Sequence, residues 1–171
     1  MTDARKSQLF VFGQFALLVL LLVWPDDSVG WGLLDFLFEF CGVIFVVIGM
    51  SLIVLSIRSV LVFSVPKITG TPKEKLFKLI GLVFPQPTAD AKLVQTGLYK
   101  RMRHPMYSGV IWLGYGIGIA SGPVPHLFFA IGLHVLLYYK SVLEEKYLSA
   151  KFFEYRYYIK KTGRFFPKVE D

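Results

Sequence analysis

Four apolar runs, and the placement of every lysine and arginine around them, constrain this chain more than any other feature of its sequence. The runs are Ser7–Trp24, Leu33–Phe63, Met106–Gly122 and Val124 to about Leu143. About 20 residues of helix cross a hydrocarbon layer of about 30 Å. Lipid offers no water to unpaired backbone groups, so such runs fold as helices. If all four cross, the 19 Lys and Arg residues fall on one side. Arg5 and Lys6 precede the first run, Arg58 ends the second, eight stand from Lys67 to Arg103, and eight from Lys140 onward. The turns Pro25–Gly32 and Ser121–Pro125 carry none. The positive-inside rule makes the charged side cytoplasmic. The expected fold is therefore all-α and integral to the membrane, with four transmembrane helices and both termini cytoplasmic. Residues 1–171 form a single domain, with a cytoplasmic loop over 66–105 and an aromatic cytoplasmic tail over 144–171.

Composition supports this. The chain is 54% hydrophobic with a mean hydropathy of +0.55, above that of a soluble domain. The net charge of +7 raises nucleic acid as a partner, but the basic residues flank apolar runs and form no binding motif, so none is expected. Cys41 stands alone in an apolar run, which excludes a disulfide framework and zinc spacing and reads as a buried, inert thiol. Arg5 and Lys6 before an apolar run resemble a signal peptide. The run ends in Val23-Trp24-Pro25-Asp26-Asp27 without a small-residue cleavage site, so it reads as a span. Glu74–Phe84 reads as a short amphipathic helix on the membrane surface.

The stretch from Gly97 to Gly109 turns from basic to apolar at His104-Pro105. Proline suits the first turn of a helix, where its missing N–H is not needed. A helix start there gathers Arg101, Arg103 and His104 at free N–H groups and a positive dipole end, a setting suited to a carboxylate or phosphate. The plainer reading is a charged helix boundary at the cytoplasmic face. In the fourth run His134, Tyr138, Ser141 and Glu145 share one helix face. Glu144 and Glu145 stand where that run ends and point about 100° apart, so one can meet a ligand while the other meets a nearby arginine. A solvated acidic pair is the alternative. His134 reads as a hydrogen-bonded packing residue, Gly114 and Gly118 as a close helix contact, and Asp35 and Glu39 as locally solvated. The tail aromatics Phe152, Phe153, Tyr155, Tyr157, Tyr158, Phe165 and Phe166 form an interfacial belt or close over a cofactor. No Ser/His/Asp order, HExxH, Walker loop or CxxC occurs, and no metal site is expected.

Two blocks carry a resemblance. The first is Leu93-Val94, Gly97, Tyr99, Arg103-His104-Pro105 and Tyr107; the second, after a helical hairpin, is Glu144-Glu145, Leu148, Phe152, Tyr155, Tyr158, Arg164 and Pro167. From about Pro85 to Pro167 the chain resembles the isoprenylcysteine carboxyl methyltransferase family and its phospholipid methyltransferase relatives. The resemblance implies a membrane enzyme, non-Rossmann in fold, using S-adenosylmethionine in a cytoplasmic pocket between the last two spans, under the aromatic tail. Leu93, Val94, Tyr99, His104, Pro105, Met106 and Tyr107 would line the pocket and Glu144 would hold the cofactor. Arg103 at the cationic helix start and Glu145 beside Glu144 complete the expected cofactor site. Lys140 stands where the prenylcysteine enzymes use an arginine for the substrate carboxylate. It keeps the charge without the bidentate fork, which weakens the case for that substrate. The expected acceptor is a lipophilic small molecule, lipid or lipidated thiol, and the expected location a prokaryotic inner membrane. Two alternatives stand beside this: a sterol-type NADPH-dependent reductase and a non-catalytic membrane protein. The reductases show Asn-Tyr then Gly-Glu after the matching proline, where this chain has Met106-Tyr107-Ser108-Gly109.

Overall fold

The structure is a computed structural model that describes residues 3–25, 33–63, 93–121 and 123–168. The turn at 26–32, the surface helix expected at Glu74–Phe84 and the rest of 64–92 lie outside the described residues. The described elements are α1 (Asp3–Val23), α2 (Leu33–Phe63), a 3₁₀ helix (Gly97–Lys100), α3 (Pro105–Ala120), α4 (Pro123–Lys151) and a short α5 (Tyr155–Lys161). Among the described residues, three stretches are long and apolar enough to cross a membrane: Arg5–Val23, Leu33–Val60 and Pro125–Lys151. At most 33% of the most apolar part of each is buried against protein, so their apolar surface faces outward, as lipid requires. Val47 and Val54 of α2 and Phe128 and Val135 of α4 are exposed in this way. At 16 residues, α3 spans only about 24 Å and is shorter than those three.

The helices pack in the order α2, α3, α4, α1, with α1 also touching α3. Between apolar helices in lipid, close backbone approach replaces the hydrophobic drive, and small residues allow it. Gly42 and Gly49 of α2 oppose Gly116 and Gly109 of α3: a Cβ on Gly49 would lie 2.6 Å from the Gly109 carbonyl, and one on Gly42 2.6 Å from that of Gly116. The expected pair Gly114 and Gly118 is also used, but on the opposite face of α3, against Leu133 and the His126 backbone of α4. Alternating glycines thus let α3 sit close to a helix on each side. Behind Gly114 the core gathers Leu21 of α1, Tyr107 and Ile111 of α3, Ala130, Leu133 and Leu137 of α4, and Phe165 from the tail.

One feature departs from expectation. Cys41 is exposed on α2, because an apolar run in a membrane helix turns much of its surface to lipid instead of the protein interior. The fourth helix runs on to Lys151, so Glu144 and Glu145 lie within it.

Candidate functional site

The site is built where the chain enters α3. His104 is the N-cap and Pro105 the first helical residue, as the sequence predicts. Ser108 N makes the first helical bond, to His104 O at 3.0 Å, so the N–H groups of Met106 and Tyr107 precede the helical ladder. The tail pairs alongside this entry. Arg103 N donates to Gly163 O at 2.8 Å, His104 N to Arg164 O at 3.0 Å, and Gly163 N to Arg101 O at 3.2 Å. Met102 and Gly163 form a parallel bridge, and Ser108 Oγ donates to the Phe165 carbonyl. Phe165 then inserts its ring beside His104 and His134. On the other flank Gly97 adopts φ +61° against α2, where a Cβ would come within 2.5 Å of Ser59 Oγ, so glycine alone suits the position. Tyr158 of α5 donates to the Tyr99 carbonyl at 2.5 Å. These bonds fold the tail over the start of α3.

The anion that a cationic helix start attracts is, in the first instance, the protein's own. Glu145 of α4 is almost encircled by donors: Arg103 Nε lies at 2.9 Å, and Arg164 grips it with Nε at 3.1 Å and Nη2 at 2.8 Å. His104 Nε2 lies 3.2 Å from the same carboxylate. Arg103 also caps the end of α5, donating to the Ile159 carbonyl at 3.2 Å and to the Thr162 carbonyl. Arg164 stacks over the Tyr138 ring at 4.8 Å. Glu145 is thus a structural counter-ion. Glu144 points elsewhere: it accepts from Tyr107 Oη at 2.9 Å and lies 3.5 Å from His104 Nδ1, with 25% of its side chain exposed and no arginine on it among the described residues. The His104 and Tyr107 rings stack at 5.3 Å, 4° from parallel.

Most of the residues singled out in the sequence meet here. His104, Pro105 and Tyr107 are buried, Met106 is half-buried in the same turn, and Leu93 and Val94 are half-buried in the extended stretch leading to the 3₁₀ helix. Burial beside the Glu144 charge and Tyr158 pushes the Tyr99 hydroxyl well above its ordinary range. Tyr99 therefore stays protonated at physiological pH and is no proton acceptor. Lys140 is fully buried and donates to Gln14 Oε1 of α1 at 2.7 Å, with the Tyr107 ring at 5.0 Å. His134 packs as expected, 3.1 Å from Tyr115 Oη. Sequence reasoning missed Gln14 as a partner of Lys140, because a polar residue in an apolar span has no local signal for its contact 126 positions away. It named Arg164 only as part of a motif. It also gave no sign that the Tyr155 hydroxyl is buried without a hydrogen-bond partner among the described residues, in the field of Glu145, Glu144 and Arg103.

A family model described as phospholipid methyltransferase matches residues 39–155 of this chain. No curated protein matches it. The matched segment contains α2 from Glu39 onward and all of α3 and α4, and excludes α1 and the tail from Arg156 onward.

Proposed function

The chain belongs to the phospholipid methyltransferase family, and on that premise we propose that it is a membrane enzyme that methylates a lipophilic acceptor with S-adenosylmethionine. The observation that carries this reading is Glu144: a partly exposed carboxylate, not neutralised by arginine, beside the stacked rings of His104 and Tyr107. The cofactor's groups fit what is present. Its ammonium or ribose hydroxyls suit Glu144, and its carboxylate suits the N–H groups of Met106 and Tyr107 at the positive end of α3. Its sulfonium and base suit aromatic faces. The orphaned Tyr155 hydroxyl nearby offers a further polar contact. When bound, S-adenosylmethionine supplies an activated methyl group on its sulfonium.

The chain's own residues supply position. Tyr107 and His104 fix the Glu144 carboxylate from two sides. Leu93, Val94, Pro105 and Met106 give the apolar lining, while Arg103 and Glu145 hold the wall by tying α3, α4 and the tail together. Alignment and exclusion of water of this kind are worth roughly 7–11 kcal/mol in a group transfer. Lys140, a buried ammonium with a neutral partner, offers its charge to an anionic group on the acceptor. In this reading α3 is the third of four crossings and the charged side is cytoplasmic, so the methyl-donor site lies at the inner leaflet, in a membrane proposed to be prokaryotic. The test is equilibrium binding of radiolabelled S-adenosylmethionine to the purified protein, with NADPH as competitor. Saturable binding, lost in His104→Ala and Glu144→Ala and unaffected by NADPH, is the expected result. Binding indifferent to both changes, or displaced by NADPH, removes the reading.

A further inference from the structure

Lys140 and Glu144 stand four residues apart on α4, the spacing at which a lysine and a glutamate on one helix reach each other. Among the described residues they form no ion pair. Lys140 Nζ turns instead to Gln14 Oε1 of α1 at 2.7 Å, while Glu144 stays on Tyr107 Oη at 2.9 Å. Lys140 is fully buried and Gln14 is 9% exposed, so water barely competes for the ammonium. A buried charge is driven toward the nearest opposite charge. Here the neutral amide of Gln14 draws it the other way. The helix that supplies this amide lies outside the matched residues 39–155.

We infer that Gln14 is a positioning residue: it holds Lys140 away from Glu144 and so leaves the Glu144 charge for a cationic group of the bound ligand. The consequence for binding rests on the reading of Glu144 given above; the placement of Lys140 does not. Remove the amide, and the lysine swings along α4 onto Glu144 and fills that charge from within. Gln14→Leu is the apt change, because leucine is close in size and suits an apolar helix.

Two measurements on the full chain in detergent test this. The first needs no ligand: a double-mutant cycle between Lys140→Met and Glu144→Gln, read as unfolding temperature. The cycle shows a weak coupling with Gln14 present, from the field between the two separated groups, and one larger by about 2 °C or more in the Gln14→Leu background. The second is titration with S-adenosylmethionine. Gln14→Leu weakens binding about tenfold, the scale of one hydrogen bond to a charged group, and adding Lys140→Met restores it. A purely structural role for Gln14 would not be rescued by deleting Lys140. A coupling no larger in the Gln14→Leu background than in the unaltered protein overturns the inference, as does a double variant that binds as weakly as Gln14→Leu alone. If the unaltered protein binds no S-adenosylmethionine yet the coupling grows when Gln14 is removed, the methyltransferase reading falls and the positioning of Lys140 stands.

Discussion

Replacing Glu145 by glutamine keeps the shape of the side chain and removes the carboxylate on which Arg103, His104 and Arg164 converge. Arg103 and Arg164 lose their counter-ion at 2.9 and 2.8 Å, and His104 loses the carboxylate at 3.2 Å. Only 8% of the Arg103 side chain is exposed, so it is left as a buried charge, for which breaking a pair costs about 3–5 kcal/mol. Arg164 is 25% exposed and its pair is worth less, about 1 kcal/mol. The glutamine oxygen still accepts from one guanidinium, which brings the whole to the low end, about 3 kcal/mol. At 2–4 °C per kcal/mol for a chain of this size, the unfolding temperature falls by about 6–12 °C. Arg164→Gln lowers it by only about a third as much, following the smaller worth of the more exposed pair. Thermal unfolding in detergent, followed by tryptophan fluorescence, reads both. Trypsin adds an independent check, since losing the clamp speeds cleavage within Lys160–Arg164. An unfolding temperature for Glu145→Gln within about 2 °C of the unaltered protein would refute the counter-ion argument.

Other changes follow from the same geometry. Gly109→Ala places a methyl group 2.7 Å from the Gly49 carbonyl and from Ile53 Cγ1 and destabilises by about 1–3 kcal/mol. Gly132→Ala meets nothing closer than 3.6 Å and is neutral or stabilising by up to about 1 kcal/mol in the same unfolding assay. Burial raises the Tyr99 and Tyr158 hydroxyls above their ordinary values, so the folded state favours their neutral forms. That stability is fully present below about pH 10 and is lost as pH rises further. Unfolding temperature measured against pH therefore falls above about pH 10, and less steeply in Tyr158→Phe.

What could be read from the sequence was local chemistry. Pro105 marks a helix start by its own covalent structure, and α3 begins there. Gly114 and Gly118 announced a close helix contact. The second contact, between Gly109, Gly116 and the glycines of α2, was not visible, because a spacing of seven does not say which glycines on different helices will meet. That two adjacent acids point apart was legible, and so was the chance that one meets an arginine. Which arginines was not: Glu145 meets Arg103 and Arg164 across 42 and 19 positions, brought together only by the tail pairing beside Arg103. Lys140 shows the limit of counting charges. It sits with the basic tail in sequence, yet the structure buries it wholly between helices. Where α4 ends was not legible: Lys146 is exposed on its outer side, so charge does not stop the helix before Lys151.

The account turns on a methyl-donor nucleoside lying against the first turn of α3 and the acid face of α4. Ultraviolet crosslinking of methyl-labelled S-adenosylmethionine to the purified protein, followed by peptide mapping, addresses that placement directly. Label on the Tyr99–Tyr107 segment, competed by S-adenosylhomocysteine and absent in Glu144→Ala, is the predicted result. Label confined to α1 or α2, or no competable label at all, would contradict it.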